Sequence, residues 1–360
     1  MQKKIIALAV AGLVSGAAFA QSNVTVYGIA DAAVTNWSGA NQRATAIENG
    51  GNTGLYTSRL GFKGEEDLGN GLKAIFQIES GVNVDGTTTA QNTVWGSARQ
   101  ANVGLTSAKF GTVKIGQQST LADAWHGINT ETMGNLSPND LLGKSTGTFS
   151  NTKIQAVSYQ SPNLSGFTLG AAWIPVNVSA TGVGVDDTTL VTTTRNDIYQ
   201  LGVNYANGPF GANATWAVRD QKFTGSENSK DLTVGVSYDF KVVKVMGGYY
   251  LSQNVGTALT STLRNQDNAL WTLGVQVPVG SAGKVAVQYA RKDDDAADMN
   301  ANAWLLGYTH MLSKRTSLYA AYARVNNDTN SEIQPVGGAV FTSITGKNFN
   351  GVILGASHSF

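Results

Sequence analysis

The feature that most limits what this chain can fold into is a repeated, strand-length alternation of apolar and polar residues. In Leu72 to Glu79, the residues Leu72, Ala74, Phe76 and Ile78 share one face. Lys73, Gln77 and Glu79 share the other, with Ile75 among them. A helical period would scatter those charges around its axis, so the period of two prevails. Sixteen such segments succeed one another, at 23–35, 56–67, 72–80, 96–106, 112–118, 152–160, 167–176, 195–206, 210–219, 229–238, 241–251, 267–277, 284–292, 301–311, 316–326 and 349–360. Clusters of Gly, Asn, Ser or Pro separate them.

The connections alternate in length. One set is short: 68–71, 108–111, 163–166, 207–209, 239–240, 279–283 and 312–315. The other is longer and polar: 36–55, 81–95, 119–151, 177–194, 220–228, 252–266, 293–300 and 327–348. Seven turns and eight loops suit sixteen antiparallel strands whose two ends lie on the turn side. Short turns on one side and long loops on the other mark a transmembrane β-barrel. The expected fold is therefore all-β, a 16-stranded antiparallel transmembrane β-barrel. No linker divides it, so one barrel domain is expected over 21–360.

The start of the chain reads differently. Met1-Gln2-Lys3-Lys4 is basic, Ile5 to Val14 is apolar, and Ala18-Phe19-Ala20 offers a small-residue cleavage site. This is the pattern of a cleaved signal peptide over 1–20, and its apolar run is too short to span a membrane as a helix. Removing Lys3 and Lys4 takes the formal charge from +1 to −1, which argues against a nucleic-acid partner. Past the leader no run of 18 apolar residues occurs, so any crossing of a membrane is by strands. With no cysteine, disulfides and thiolate metal sites are excluded. A soluble β-sandwich or β-helix accounts for neither the leader nor the alternating connections.

Sixteen strands close around an aqueous channel, whereas eight are filled by their own side chains. The inward faces are then expected to be polar. On the first strand Val24, Val26, Gly28, Ala30, Ala32 and Val34 form a row of small residues. Such a row suits close packing on a neighbouring subunit, and ordinary lipid contact explains it nearly as well.

Several stretches carry a family resemblance. They are Val24 to Asp31, Ser58 to Gly69, Gly71 to Glu79, Ala101 to Leu105, Phe110 to Gly116, Tyr159-Gln160-Ser161-Pro162 and the final His358-Ser359-Phe360. In these the chain resembles the trimeric general porins of the Gram-negative outer membrane, in the branch typical of beta-proteobacteria. The resemblance implies a homotrimer in the cell outer membrane, in contact with lipid and lipopolysaccharide. Each subunit would hold one pore for passive diffusion of small hydrophilic solutes and ions, narrowed by an inward-folded third loop. Here the longest loop is also the third, 119–151, and long loops in compact domains are usually functional.

The resemblance further implies a constriction with a basic wall, Arg59, Lys63, Arg99 and Lys114, facing acidic loop residues Asp123, Glu131 and Asp140; Lys144 lies on the same loop. Opposed fixed charges beside low-dielectric walls decide which ions enter. Arg59 shares a face with Gly61 and Lys63, so alternation points it inward, since a cation at the lipid midplane costs roughly 2–4 kcal/mol. Arg99 conflicts with alternation, which sets it in the outer row with Ala101, Val103 and Leu105; an inward position needs a bulge or a nearby strand end. Ser158 and Gln117 stand where many relatives carry arginine, which weakens the expectation of strong anion selectivity. The terminal Phe360 resembles the signal read by the outer-membrane assembly machinery.

Other chemistry finds little support. His126, His310 and His358 lack a neighbouring Ser/Asp arrangement, so no enzyme is expected. Leu142-Gly143-Lys144-Ser145 is not a phosphate loop, because Pro138 stands where the first glycine is needed. Asp293-Asp294-Asp295 reads as a solvated tip in preference to a calcium site. No cofactor is expected. The competing functions are a substrate-specific channel whose third loop binds one solute, and a barrel serving as adhesin or enzyme.

Overall fold

The computed structural model describes residues 23–50, 54–86, 95–143, 153–175, 177–179, 193–195, 197–220, 227–255, 266–335, 341–342 and 344–360. The expected leader, 1–20, and Lys144 lie outside these residues. The strands are β1 (Asn23–Gly39), β2 (Gln42–Asn49), β3 (Arg59–Gly69), β4 (Leu72–Val82), β5 (Trp95–Ser107), β6 (Gly111–Ser119), β7 (Lys153–Gln160) and β8 (Phe167–Ile174). A small hairpin, β9 (Asn177–Ser179) and β10 (Thr193–Arg195), precedes β11 (Ile198–Asn207), β12 (Phe210–Arg219), β13 (Ser229–Asp239) and β14 (Lys244–Val255). The last five are β15 (Gln266–Val279), β16 (Gly283–Asp294), β17 (Ala301–Met311), β18 (Thr316–Asn327) and β19 (Phe349–Ser359). Between β6 and β7 lie helix α1 (Leu121–Thr130), a 3₁₀ turn (Gly134–Leu136) and the short helix α2 (Pro138–Leu141).

Each barrel strand pairs antiparallel with its neighbours, and the sheet closes through β1. On one side β1 pairs with β19, from Ile29 opposite Ser359 to Gly39 opposite Phe349. On the other, β3 covers Asn23 to Ile29 and β2 covers Ala32 to Gly39. Strands β2 and β3 thus occupy one position in turn, and the seventeen-stranded sheet makes a closed barrel of sixteen positions. Closure leaves no unpaired edge, which the apolar membrane interior requires.

Two hairpins depart from the expected loops. β1 runs on past residue 35 and returns as β2 through Ala40 and Asn41, both at positive φ (50° and 58°). β9 and β10 pair across the expected loop 177–194, with Arg195 of the expected strand 195–206 opposite Asn177. The Ala40-Asn41 turn between β1 and β2 lacks the Asn-Gly pair that announces such hairpins, so the sequence signal there is weak.

The seam is completed by the last residue. The Phe360 N–H donates to the Gly28 carbonyl at 3.1 Å, and the Gly28 N–H donates to the Phe360 carbonyl at 3.2 Å. The Phe360 ring lies over Gly28, where a Cβ would collide with it and approach the Arg59 carbonyl to 2.8 Å. Only glycine admits that contact.

The outer face carries exposed Val24, Phe62, Ile78, Val103, Leu105, Ile115, Leu273, Val287, Leu306 and Leu354, an apolar band suited to lipid. Among the described residues no helix is long and apolar enough to cross a membrane. The inner face is not polar throughout, which corrects the expectation. β16, β17 and β18 turn Ala286, Ala290, Ala301, Ala303, Ala321 and Ala323 inward, and these are buried with Met133, Leu136, Leu141 and Leu142. The small side chains leave room for the 131–142 segment, whose apolar residues cover that part of the wall. Burying each leucine contributes roughly 1.5–3 kcal/mol. Leu305 of β17 and Ile353 of β19 are buried in the same cluster.

Candidate functional site

Arg59 opens β3 opposite Ile29, near the middle of β1. Its Nη1 lies 3.9 Å from Oε1 of Glu79, on the neighbouring strand β4. Arg99 reaches the same oxygen from β5, Nε to Oε1 at 2.6 Å. The position of Arg99 follows from an irregularity in the ladder. Glu79 pairs with Gln100 and Ser80 pairs with Ala98, so Arg99 is the extra residue of a β-bulge. A bulge breaks alternation and re-aims one side chain. Here it turns a residue of nominally outward parity toward Glu79.

Glu79 is buried (6% exposed), while the Arg59 and Arg99 side chains keep 22% and 15% of their surface. Its other oxygen, Oε2, accepts from the Tyr27 hydroxyl at 2.9 Å, and Gln77 Nε2 donates to that hydroxyl at 2.6 Å. One carboxylate thus serves two guanidiniums, leaving the cluster one net positive charge. Glu79, Tyr27 and Gln77 were not singled out as site residues from sequence. Their signal was present, since Gln77 and Glu79 lie on the polar row of the clearest strand.

Helix α1 starts at the Thr120 cap, whose hydroxyl accepts from the Asp123 N–H at 3.1 Å. Asp123 Oδ2 pairs with Lys153 Nζ at 2.7 Å and also interacts electrostatically with Arg59. The helix touches β6, β8 and β11 through β15. Trp125 sits over Gly170 and Gly202, where added Cβ atoms would come within 2.6 Å of its ring. Asn129 Nδ2 donates to Asn213 Oδ1 at 2.8 Å and its own Oδ1 accepts from Ser237 at 2.7 Å.

Beyond the helix, Gln288 is the main anchor. Its Oε1 accepts from the Thr132 N–H at 3.0 Å and from the Thr132 hydroxyl at 2.7 Å. Its Nε2 donates to the Thr130 carbonyl at 2.8 Å and to Asn139 Oδ1 at 2.9 Å. The segment also returns to the first loop, with Asn135 donating to the Gly50 and Leu55 carbonyls at 3.0 and 3.2 Å. Between them the two helices contact β6, β8 and β11 through β17.

The remaining expected residues are dispersed. Lys63 stands 5.2 Å from the Tyr27 ring centroid, four residues from Arg59 toward the turn side. It shares a cavity of about 450 Å³ with Lys114. Glu131 follows α1 and lines a different chamber, with Lys244 and Lys284. Asp140 belongs to α2, which packs on β15, β16 and β17, away from the arginines. Sequence reasoning missed Lys153, the partner of Asp123, because it begins a strand whose polar row is Ser158 and Gln160.

His126 is buried and edge-on to Tyr250, ring centroids 4.0 Å apart. His310 contacts the Tyr308 hydroxyl at 2.9 Å and His358 the Thr316 hydroxyl at 2.9 Å. In the acidic tip, Asp293 pairs with Arg291 at 2.7 Å and Asp294 with Lys292 at 3.4 Å. Among the described residues no group of His, Cys, Asp or Glu is arranged to hold a metal.

Known proteins with these features point one way. The Gram-negative porin family matches residues 7–330. Outer membrane porin protein 32 of Delftia acidovorans is 32% identical over 378 residues, covering 100% of both chains. An outer membrane porin protein of Bordetella pertussis is 29% identical over 90% of this chain and 94% of its own. Among solved structures, the anion-selective porin from Comamonas acidovorans superposes with a TM-score of 0.72 at 27% identity, over 94% of this chain and 100% of that one. OmpT of Vibrio cholerae, solved in a trimer form, shares the fold at a TM-score of 0.62 and 14% identity, over 94% of this chain and 99% of its own. The chain belongs to the Gram-negative porin family.

Proposed function

We propose that the described part of the third loop, 119–143, folds into the lumen of this outer-membrane channel and sets its narrowest point. The barrel serves passive diffusion of small hydrophilic solutes and ions, with no bond made or broken. The observation that carries the constriction is the Arg59–Glu79–Arg99 cluster on the β3–β5 wall, with Asp123 of helix α1 within electrostatic reach. The net positive wall stands against an Asp123 carboxylate held by Lys153, and such fixed charges sort ions by sign. Lys63 and Lys114 extend the basic side toward the turns. Glu131 and Asp140 stand farther from the arginines, and Asp123 is the loop acid of the filter.

The chain is a channel protein without catalytic role. It is exported by a leader over 1–20 and inserted by the assembly machinery reading Phe360. The working unit is a homotrimer held through the exposed row Val24, Val26, Ala30, Ala32 and Val34, embedded in lipid and lipopolysaccharide. That row exposes small side chains next to the seam, and OmpT supplies a trimeric precedent on the same fold.

Reversal potential across a salt gradient tests the filter. Arg59→Ala is expected to shift permeability toward cations. An unchanged potential would remove Arg59 from the narrowest point.

A further inference from the structure

Below the 127–134 segment, on the side of the short turns, lies a chamber of about 840 Å³. Its walls carry four cations, Lys244, Lys284, Lys314 and Arg315, and one carboxylate, Glu131. Lys244 begins β14 and Lys284 lies one residue into β16, so both sit on the same end of the wall with β15 between them. They repel one another electrostatically. Lys314 and Arg315 belong to the turn before β18. Lys244 Nζ lies 3.4 Å from the Ile128 carbonyl; among the described residues no salt bridge joins any of the four cations to a carboxylate. The hydroxyls of Thr309, Ser317, Ser357 and Ser359 line the same space.

This arrangement differs from the Arg59–Glu79–Arg99 cluster, where a carboxylate already compensates half the charge. Here four cations share the chamber with a single carboxylate, Glu131, so among the described lining residues positive charge remains in excess. Crowded ammonium groups are relieved by an anion with several charges more than by a monovalent one. Hydroxyl donors beside them suit oxygen ligands.

We propose that this chamber is a second anion subsite, holding multivalent oxyanions after or before they pass the constriction. The inference rests on the channel reading and names the class of solute the pore favours. Lys244 and Lys284 form its core, and Lys314 and Arg315 its mouth toward the turn side.

The test is single-channel recording at low salt with inorganic pyrophosphate as probe, added to either side. Pyrophosphate is expected to reduce current at concentrations where chloride does not, and more effectively from one side. The double variant Lys244→Gln/Lys284→Gln is expected to raise the half-blocking concentration about tenfold. Its conductance in 1 M potassium chloride, where charge is screened, should stay within about twofold. Lys230→Gln, an exposed lysine on the outer row of β13, is the control and should leave the block unchanged. Equal half-blocking concentrations in wild type and double variant would overturn the inference while leaving the channel intact. The same holds if Lys230→Gln moves the block as far. A protein that forms no channels would instead overturn the channel reading, and the subsite with it.

Discussion

Replacing Glu79 with Gln keeps size and hydrogen-bonding capacity but removes the carboxylate that joins Arg59 to Arg99. The cluster then goes from one net positive charge to two. For an ion passing about 6 Å away in water, one unit charge is worth about 0.7 kcal/mol. Screening at 0.1 M salt, with a Debye length near 10 Å, reduces this to about 0.4 kcal/mol. Anions gain that amount and cations lose it, so the anion-to-cation permeability ratio should rise about fourfold. Both guanidiniums retain access to water, so the lost charge-assisted hydrogen bonds, worth about 1.5–3 kcal/mol each when buried, are partly replaced. The variant should fold, and its unitary conductance in 1 M salt reports that it does. Reversal potential in a tenfold potassium chloride gradient reads the ratio. A ratio that stays put, or moves toward cations, would refute the placement of this cluster at the filter.

Gly28→Val should weaken the seam, because a side chain there meets the Phe360 ring; folded protein on unheated gels should convert to the unfolded band at lower temperature, and equal conversion temperatures would contradict this. Gln288→Ala strips partners from Thr130, Thr132 and Asn139, at about 1–3 kcal/mol for each group left buried and unsatisfied. Its channels should be noisier and close at lower voltage, whereas wild-type traces would deny the segment its anchor. Lys153→Ala uncovers Asp123 at a partly exposed pair, costing no more than about 1 kcal/mol of stability. It should move selectivity toward cations, by less than Glu79→Gln moves it toward anions, and Lys153→Arg should restore the original value.

The strands were legible because one side of each meets lipid or a neighbour and the other meets water. That contrast survives in Leu72 to Glu79 and in Phe210–Arg219, whose expected limits coincide with the observed ones. It fails where the inner face is dry. The inward alanines of β16 to β18 look like noise in the alternation until Met133, Leu136 and Leu141 are seen against them. The arginine cluster was only half legible. Arg59 follows from parity, but the inward turn of Arg99 depends on a bulge that no local residue announces. Glu79 was visible as a polar residue, yet its joint hold on two arginines is a relation between three strands. Asp140 was visible as an acid on the third loop, but its place beside β15, β16 and β17 depends on the packing of α2, which spacing does not announce.

The central claim is that sixteen strand positions close around water. Planar-bilayer recording of the purified, detergent-folded protein tests it most directly. The account predicts discrete conductance steps that grow in proportion to salt concentration and carry both ions and small uncharged solutes. A preparation that is folded by circular dichroism, inserts into lipid and passes no current would contradict it.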